Sequence, residues 1–232
     1  MTEHSRRHSR IPVSLKVRYI STSSFLIAYS TNLSRGGIFI ETKNPLPVGT
    51  TLALDIEVPN AEEPIVVEGR VAWIRSQADE SGYPPGMGIQ FQNLDERIGH
   101  IIDALVARFE GMRMVVASAS PGFLTQHARY LRSILAAEIL EAQDMASFLQ
   151  ALAVRVDLCL LDLDEFTDAE TALITATGNP EHPVPVIGIS RTEDVRTRAA
   201  SMGAVEALPN PVSFGLLQQA VIRCLSKPIL VA

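Results

Sequence analysis

The hydrophobic pattern of this chain changes period once, and that change limits what it can fold into. From residue 11 to about 92, apolar residues alternate with polar or short ones. From Arg113 onward, short continuous apolar runs alternate with helical stretches. Period-two alternation buries one face of a strand and wets the other, whereas a continuous apolar run describes a strand covered on both faces. One set of layers does not accommodate both patterns. The 232 residues suffice for two domains, expected at 1–110 and 112–232.

In the first half, Val13, Leu15, Val17 and Tyr19 alternate, as do Leu52, Leu54, Ile56 and Val58. Val67, Val71 and Trp73 repeat the pattern, followed by Met87, Ile89 and Phe91. Gly36-Gly37, the stretch 45–49, Pro59-Asn60 and the stretch 82–86 supply turns. Short strands so punctuated predict an all-β antiparallel barrel. A helix follows, with Asp95 as N-cap, an apolar stripe of Ile98, Ile101, Ile102, Leu105 and Phe109, and Gly111 at its end.

In the second half, strands are expected at 114–117, 139–140, 158–163, 184–189 and 205–208. Helices are expected at 123–135, 145–153, 193–202 and 216–224. This order predicts an α/β fold, a doubly wound parallel sheet of five strands.

The formal net charge of -6 argues against binding a nucleic-acid polymer, which calls for a large basic surface. Cys159 and Cys224 lie in apolar runs without close partners and read as small buried thiols. The histidines show no metal-ligand spacing. No apolar stretch approaches the ~20 residues of a membrane span, and the polar, basic start does not resemble a signal peptide. A cytoplasmic location, no membrane and no metal are the expectations. No P-loop, H-E-x-x-H or nucleophile motif is visible, so an enzyme is not expected.

Two short motifs stand out in the first half. Arg6 and Arg10 make an R-x-x-x-R spacing with Arg7 between them. Asn32, Ser34 and Gly37 make an N-x-S-x-x-G spacing around Arg35 and Gly36. A guanidinium offers a planar fork that fits phosphate oxygens and the O6/N7 edge of guanine. Asn32 and Ser34, two apart in a strand-like stretch, present amide and hydroxyl groups to one face. Gly36 and Gly37 permit positive φ and close approach. Taken singly, the first motif also fits a solvated basic tail and the second an ordinary hairpin turn.

Both motifs, in order, resemble the PilZ domain. Residues 6–13 resemble its arm and first strand, and 30–40 its second motif, with Asn32 where Asp is more usual. Leu46 to Thr50, Gly69 to Trp73 and Gly86 to Phe91 resemble its later landmarks. The resemblance implies a receptor for cyclic di-GMP. It implies that Arg6, Arg7 and Arg10 contact guanine and phosphate, that Asn32, Ser34, Arg35 and Gly37 complete the pocket, and that the arm folds over the ligand.

The second half resembles the receiver domain of response regulators. Asp162 falls at the phosphoacceptor position, Ser190 at the hydroxyl position, and Asn210-Pro211 where Lys-Pro is usual. Ser118 and Ala119 stand where the acidic pair that holds Mg²⁺ is expected, and Ala207 replaces an aromatic residue. Phosphoryl transfer relies on cations to neutralise developing charge. Without those carboxylates and the lysine, a receiver-like domain for an unidentified protein partner or a homodimer is expected. The alternatives are a ligand-free scaffold and a response regulator phosphorylated on Asp162.

Overall fold

The computed structural model describes residues 13–19, 21–31, 36–59, 61, 64–78, 84–93, 96–107, 109, 111–179 and 183–231. The chain divides into two compact units. The first comprises Met1–Tyr19, Tyr29–Ala107 and Pro228–Ala232, and the second Ile20–Ala28 and Arg108–Lys227. The main division thus falls after residue 107. Two short segments, 20–28 and 228–232, belong to the unit that contiguous domains would not have assigned them.

The first unit is a curled sheet of six strands. In chain order they are β1 (Ser14–Arg18), β2 (Gly37–Glu41), β3 (Thr51–Glu57), β4 (Ile65–Arg75), β5 (Gly86–Asn93) and β11 (Ile229–Val231). They lie in the order β11-β1-β3-β4-β5-β2. Buried Val17, Ile38, Ile40, Leu52, Leu54, Ile56, Val67, Val71, Met87 and Ile89 form its inner face, as their alternation predicts. The sheet is mixed rather than antiparallel, because β1 pairs in parallel with β3. Parallel neighbours need a long crossover, and residues 19–50 supply it: they include α1 (Thr22–Thr31) and β2, which pairs at the far end of the sheet with β5.

Helix α1 corrects the expectation of strands throughout 11–92. Its sequence, Thr-Ser-Ser-Phe-Leu-Ile-Ala-Tyr-Ser-Thr, is rich in residues that favour strands. Burial overrides that preference. Phe25, Ile27 and Ala28 are buried, and Ile27 joins a core cluster of the second unit. The start of the helix is capped by Ser21, whose Oγ accepts from the Ser24 N–H at 3.0 Å. Ser24 Oγ donates to the Leu225 carbonyl, and Ser23 Oγ accepts from the Arg155 guanidinium at 2.7 Å. Helix α2 (Glu96–Ala107) ends before Gly111, which has a φ of 95° in the connection to the second unit.

The second unit is the expected parallel sheet. Its strands are β6 (Met112–Ala117), β7 (Ala137–Ala142), β8 (Leu158–Asp162), β9 (Val186–Ser190) and β10 (Glu206–Pro209), in the order β10-β9-β8-β6-β7. All four pairings are parallel. Helices cover both faces. Met114, Val116, Leu158, Leu160, Ile187 and Ile189 pack with α3 (Pro121–Ile134) and α7 (Phe214–Ser226). Val115, Ala117, Cys159, Leu161 and Val186 pack with α4 (Met145–Leu152), α5 (Ala169–Thr177) and α6 (Glu193–Ser201). Helix α5 and strand β11 were absent from the sequence-based assignment. Both cysteines are buried free thiols; burial pushes Cys159 up to about 12.

Candidate functional site

In the first unit the site is bounded by its scaffold. Arg6, Arg7, Arg10, Asn32, Ser34 and Arg35 lie outside the described residues. Gly37 opens β2. Gly36, just before it, has a φ of 85° and open space around it, as a turn glycine should. Gly37 itself is required by strand pairing, since a Cβ there would meet the Ile89 carbonyl oxygen at 2.8 Å. Gly37, expected from sequence to allow close approach to a ligand, has a packing role in this strand pair.

The outer face below Gly37 carries two aromatic rings. Phe39 on β2 and Trp73 on β4 flank Gly88 on β5 from either side. Their rings stack at 5.3 Å between centroids, 13° from parallel. A Cβ on Gly88 would meet the Trp73 indole nitrogen at 2.2 Å, and one on Gly86 would meet the Ile40 carbonyl oxygen at 2.3 Å. The G-x-G spacing therefore clears a floor on which the rings lie. The Arg75 guanidinium sits 5.5 Å from the Phe39 centroid and 5.4 Å from that of Trp73.

In the second unit, the carboxyl ends of β6, β8 and β9 bring together the residues singled out from sequence. Asp162 ends β8 and is 1% exposed. Ser118, following β6, donates its hydroxyl to Asp162 Oδ2 at 2.6 Å. Asp162 Oδ1 accepts from the backbone N–H groups of Asp164 at 3.0 Å and Glu165 at 3.2 Å. Both oxygens are thus engaged. Asp164 accepts from Ser190 Oγ at 2.6 Å and from the Arg191 N–H at 2.9 Å. The Arg191 guanidinium pairs with Glu165 at 2.8 Å and lies 3.6 Å from Asp164.

The Mg²⁺ of a receiver does not fit this arrangement. Mg²⁺ prefers carboxylate and water oxygens. Here the Ser118 hydroxyl bonds Asp162, and the chain's own Arg191 supplies positive charge to Asp164 and Glu165. Asn210 meets the site through its backbone N–H, which donates to the Ser190 carbonyl at 3.0 Å. Among the described residues, no group of three or more His, Cys, Asp or Glu is placed to hold a metal ion.

The sequence suggested no histidine near Asp162, yet His127 on α3 is within its electrostatic influence. His127 is buried, and its Nδ1 donates to the Phe123 carbonyl at 2.8 Å. That bond leaves Nε2 as the unprotonated nitrogen, and it has no hydrogen-bond partner. Burial lowers the imidazole pKa, outweighing the opposing pulls of the Phe123 carbonyl and Asp162. The unfolded chain therefore binds the proton more readily than the folded one. His127 contributes stability that is fully present above about 6.5 and is lost as pH falls through its depressed folded value. His127→Phe should flatten the fall in unfolding free energy in that window, measured by urea denaturation at several pH values; an unchanged slope would assign it to other groups.

A family model described as PilZ domain matches residues 4–108. That span includes both amino-terminal motifs, and this part of the chain is similar to the PilZ domain. No curated protein matches the chain. Among solved structures, the signal receiver domain of a DNA-binding response regulator from Colwellia psychrerythraea is 20% identical over 50% of this chain and 99% of its own, with a TM-score of 0.46. The receiver domain of a sensor histidine kinase from Pseudomonas aeruginosa, with a magnesium ion coordinated in its active-site cleft, is 19% identical over 50% of this chain and 99% of its own, at 0.45. A response regulator receiver domain from Clostridium thermocellum is 19% identical over 49% of this chain and 94% of its own, at 0.44. The all-parallel strand order of the second unit is itself flavodoxin-like, the topology of receivers. The chain thus joins a segment similar to the PilZ domain to an α/β unit of flavodoxin-like topology. No helix among the described residues is long and apolar enough to cross a membrane.

Proposed function

We propose that this protein is a cyclic di-GMP-responsive signalling adaptor. Arg6, Arg7 and Arg10 clamp guanine and phosphate of the ligand, and Asn32, Ser34, Arg35 and Gly37 complete the pocket on the wall of a PilZ barrel. Asn32 retains an acceptor for guanine donors while lacking the charge of the more usual Asp. The observation that carries the reading is the PilZ match across 4–108, which contains both motifs in order. A ligand that binds only the folded state stabilises it by about 2.7 kcal/mol at a concentration 100 times its Kd. Cyclic di-GMP, and not GTP, should raise the thermal midpoint of the first unit; equal midpoints with and without it would contradict the proposal.

The receiver-like unit serves as a non-phosphorylatable surface for a protein partner, a second copy of the chain included. The reading is supported by the engaged oxygens of Asp162, by Ser118 in place of a carboxylate, and by Arg191 against Asp164. An incoming phosphoryl group would have to displace these bonds with no metal to neutralise its charge. Incubation with Mg²⁺ and a small phosphodonor should leave the chain's mass unchanged; an acyl phosphate on Asp162 would restore the phosphorylated-regulator alternative.

A further inference from the structure

Strand register places two unassigned polar side chains in line with the second motif. On the outer face, Gly37 of β2 lies opposite Gln90 of β5, Gln90 opposite Arg70 of β4, and Arg70 opposite Thr51 of β3. These residues alternate with buried Ile38, Ile89, Val71 and Leu52, so Gln90 and Arg70 face outward, and both are exposed. One strand further, the Val13 carbonyl accepts from the Ala53 N–H at 2.9 Å, so the segment following the arginine arm meets the sheet beside this row. At ~4.8 Å between neighbouring strands, the row from Gly37 to Thr51 spans about 14 Å, the scale of a dinucleotide rather than of a single phosphate.

The chemistry of the row suits such a ligand. Among the described residues, the Arg70 guanidinium makes one hydrogen bond, its Nε donating to the Gly49 carbonyl at 3.3 Å, and no carboxylate pairs with it. The neighbouring cations Lys16 and Arg18 are both paired with Glu57. The Gln90 amide has no hydrogen-bond partner among the described residues and carries both donors and an acceptor, as reading a guanine edge requires.

We propose that Arg70 and Gln90 form a ligand surface beside Gly37, Arg70 pairing with a phosphodiester oxygen and Gln90 hydrogen-bonding a guanine edge. The proposal rests on the cyclic di-GMP reading above. It adds two residues that neither motif contains and a direction for the ligand across β2, β5 and β4.

Calorimetric titration of the whole chain with cyclic di-GMP tests it. Arg70→Ala is expected to raise Kd about 10-fold, with Arg70→Lys recovering part of the loss because the charge remains without the fork. Its affinity should also depend less on salt than that of the wild type. Gln90→Ala is expected to weaken binding roughly 3- to 5-fold. Both substitutions are exposed and should leave the thermal midpoint of the free protein unchanged. If the wild type binds and Arg10→Ala binds at least about 30-fold more weakly, while Arg70→Ala and Gln90→Ala bind within twofold of wild type, the row is not part of the site and this inference is overturned alone. If the wild type itself gives no heat, the cyclic di-GMP reading falls and this inference with it.

Discussion

Arg10→Ala is expected to weaken cyclic di-GMP binding by roughly 30- to 150-fold, about 2–3 kcal/mol. In the proposed complex the Arg10 fork makes charge-assisted, paired hydrogen bonds to the ligand, and truncation leaves a desolvated phosphate or guanine edge without its partner. Arg10→Lys should recover only part of the affinity, because an ammonium cannot make the planar two-bond contact. Isothermal calorimetry at fixed ionic strength measures both variants. An unchanged Kd for Arg10→Ala would place the ligand elsewhere on the chain.

Gly86→Ala is expected to destabilise the first unit by about 2–3 kcal/mol. The added methyl would meet the Ile40 carbonyl oxygen at 2.3 Å and the Phe39 ring at 2.5 Å. The first obstacle is backbone in the strand paired with β5, so it cannot be relieved by a rotamer change. Relief requires β2 and β5 to separate, disrupting the register that pairs Glu41 with Gly86 and Phe39 with Gly88. Trp73 is the only tryptophan of the chain, stacks on Phe39 and is 45% exposed. Its fluorescence during urea unfolding therefore reports on this unit specifically. A midpoint equal to wild type would show that the sheet accommodates the methyl without this cost.

How much of this was legible in sequence follows from where packing agrees with local pattern. Val67 and Val71 alternate with exposed residues as read, but a register shift between Val71 and Trp73 leaves Trp73, read on the same buried face, 45% exposed. Leu158 to Leu161 is a continuous apolar run and becomes the central strand β8, packed on both faces. Helix α1 was illegible because Phe25, Ile27 and Tyr29 favour a strand, while burial of Phe25 and Ile27 accompanies a helix. Helix α5 was missed because Thr171, Ile174, Thr175 and Thr177 are poor helix formers; its buried face is Ala172, Leu173 and Ala176.

The site was partly legible. Ser118, Asp162 and Ser190 were located through the resemblance to receiver domains, and the fold brings them to the same edge of the sheet. Arg191 was missed because nothing in one sequence says that its guanidinium turns back onto Asp164 and Glu165. His127 was missed although a signal exists. It lies on the buried stripe of α3 with Phe123, Leu124 and Leu131, a polar residue at a core position. Arg70 and Gln90 were invisible because only register across β2, β5 and β4 aligns them with Gly37.

The most direct test of the central claim is the heat of cyclic di-GMP binding to the intact, ligand-free chain. The account predicts a saturable titration with Kd of about 1 μM or tighter, about -8 kcal/mol or better, and no comparable heat with GTP. Absence of heat at roughly 100 μM protein, where a micromolar Kd gives near-complete saturation, would contradict it.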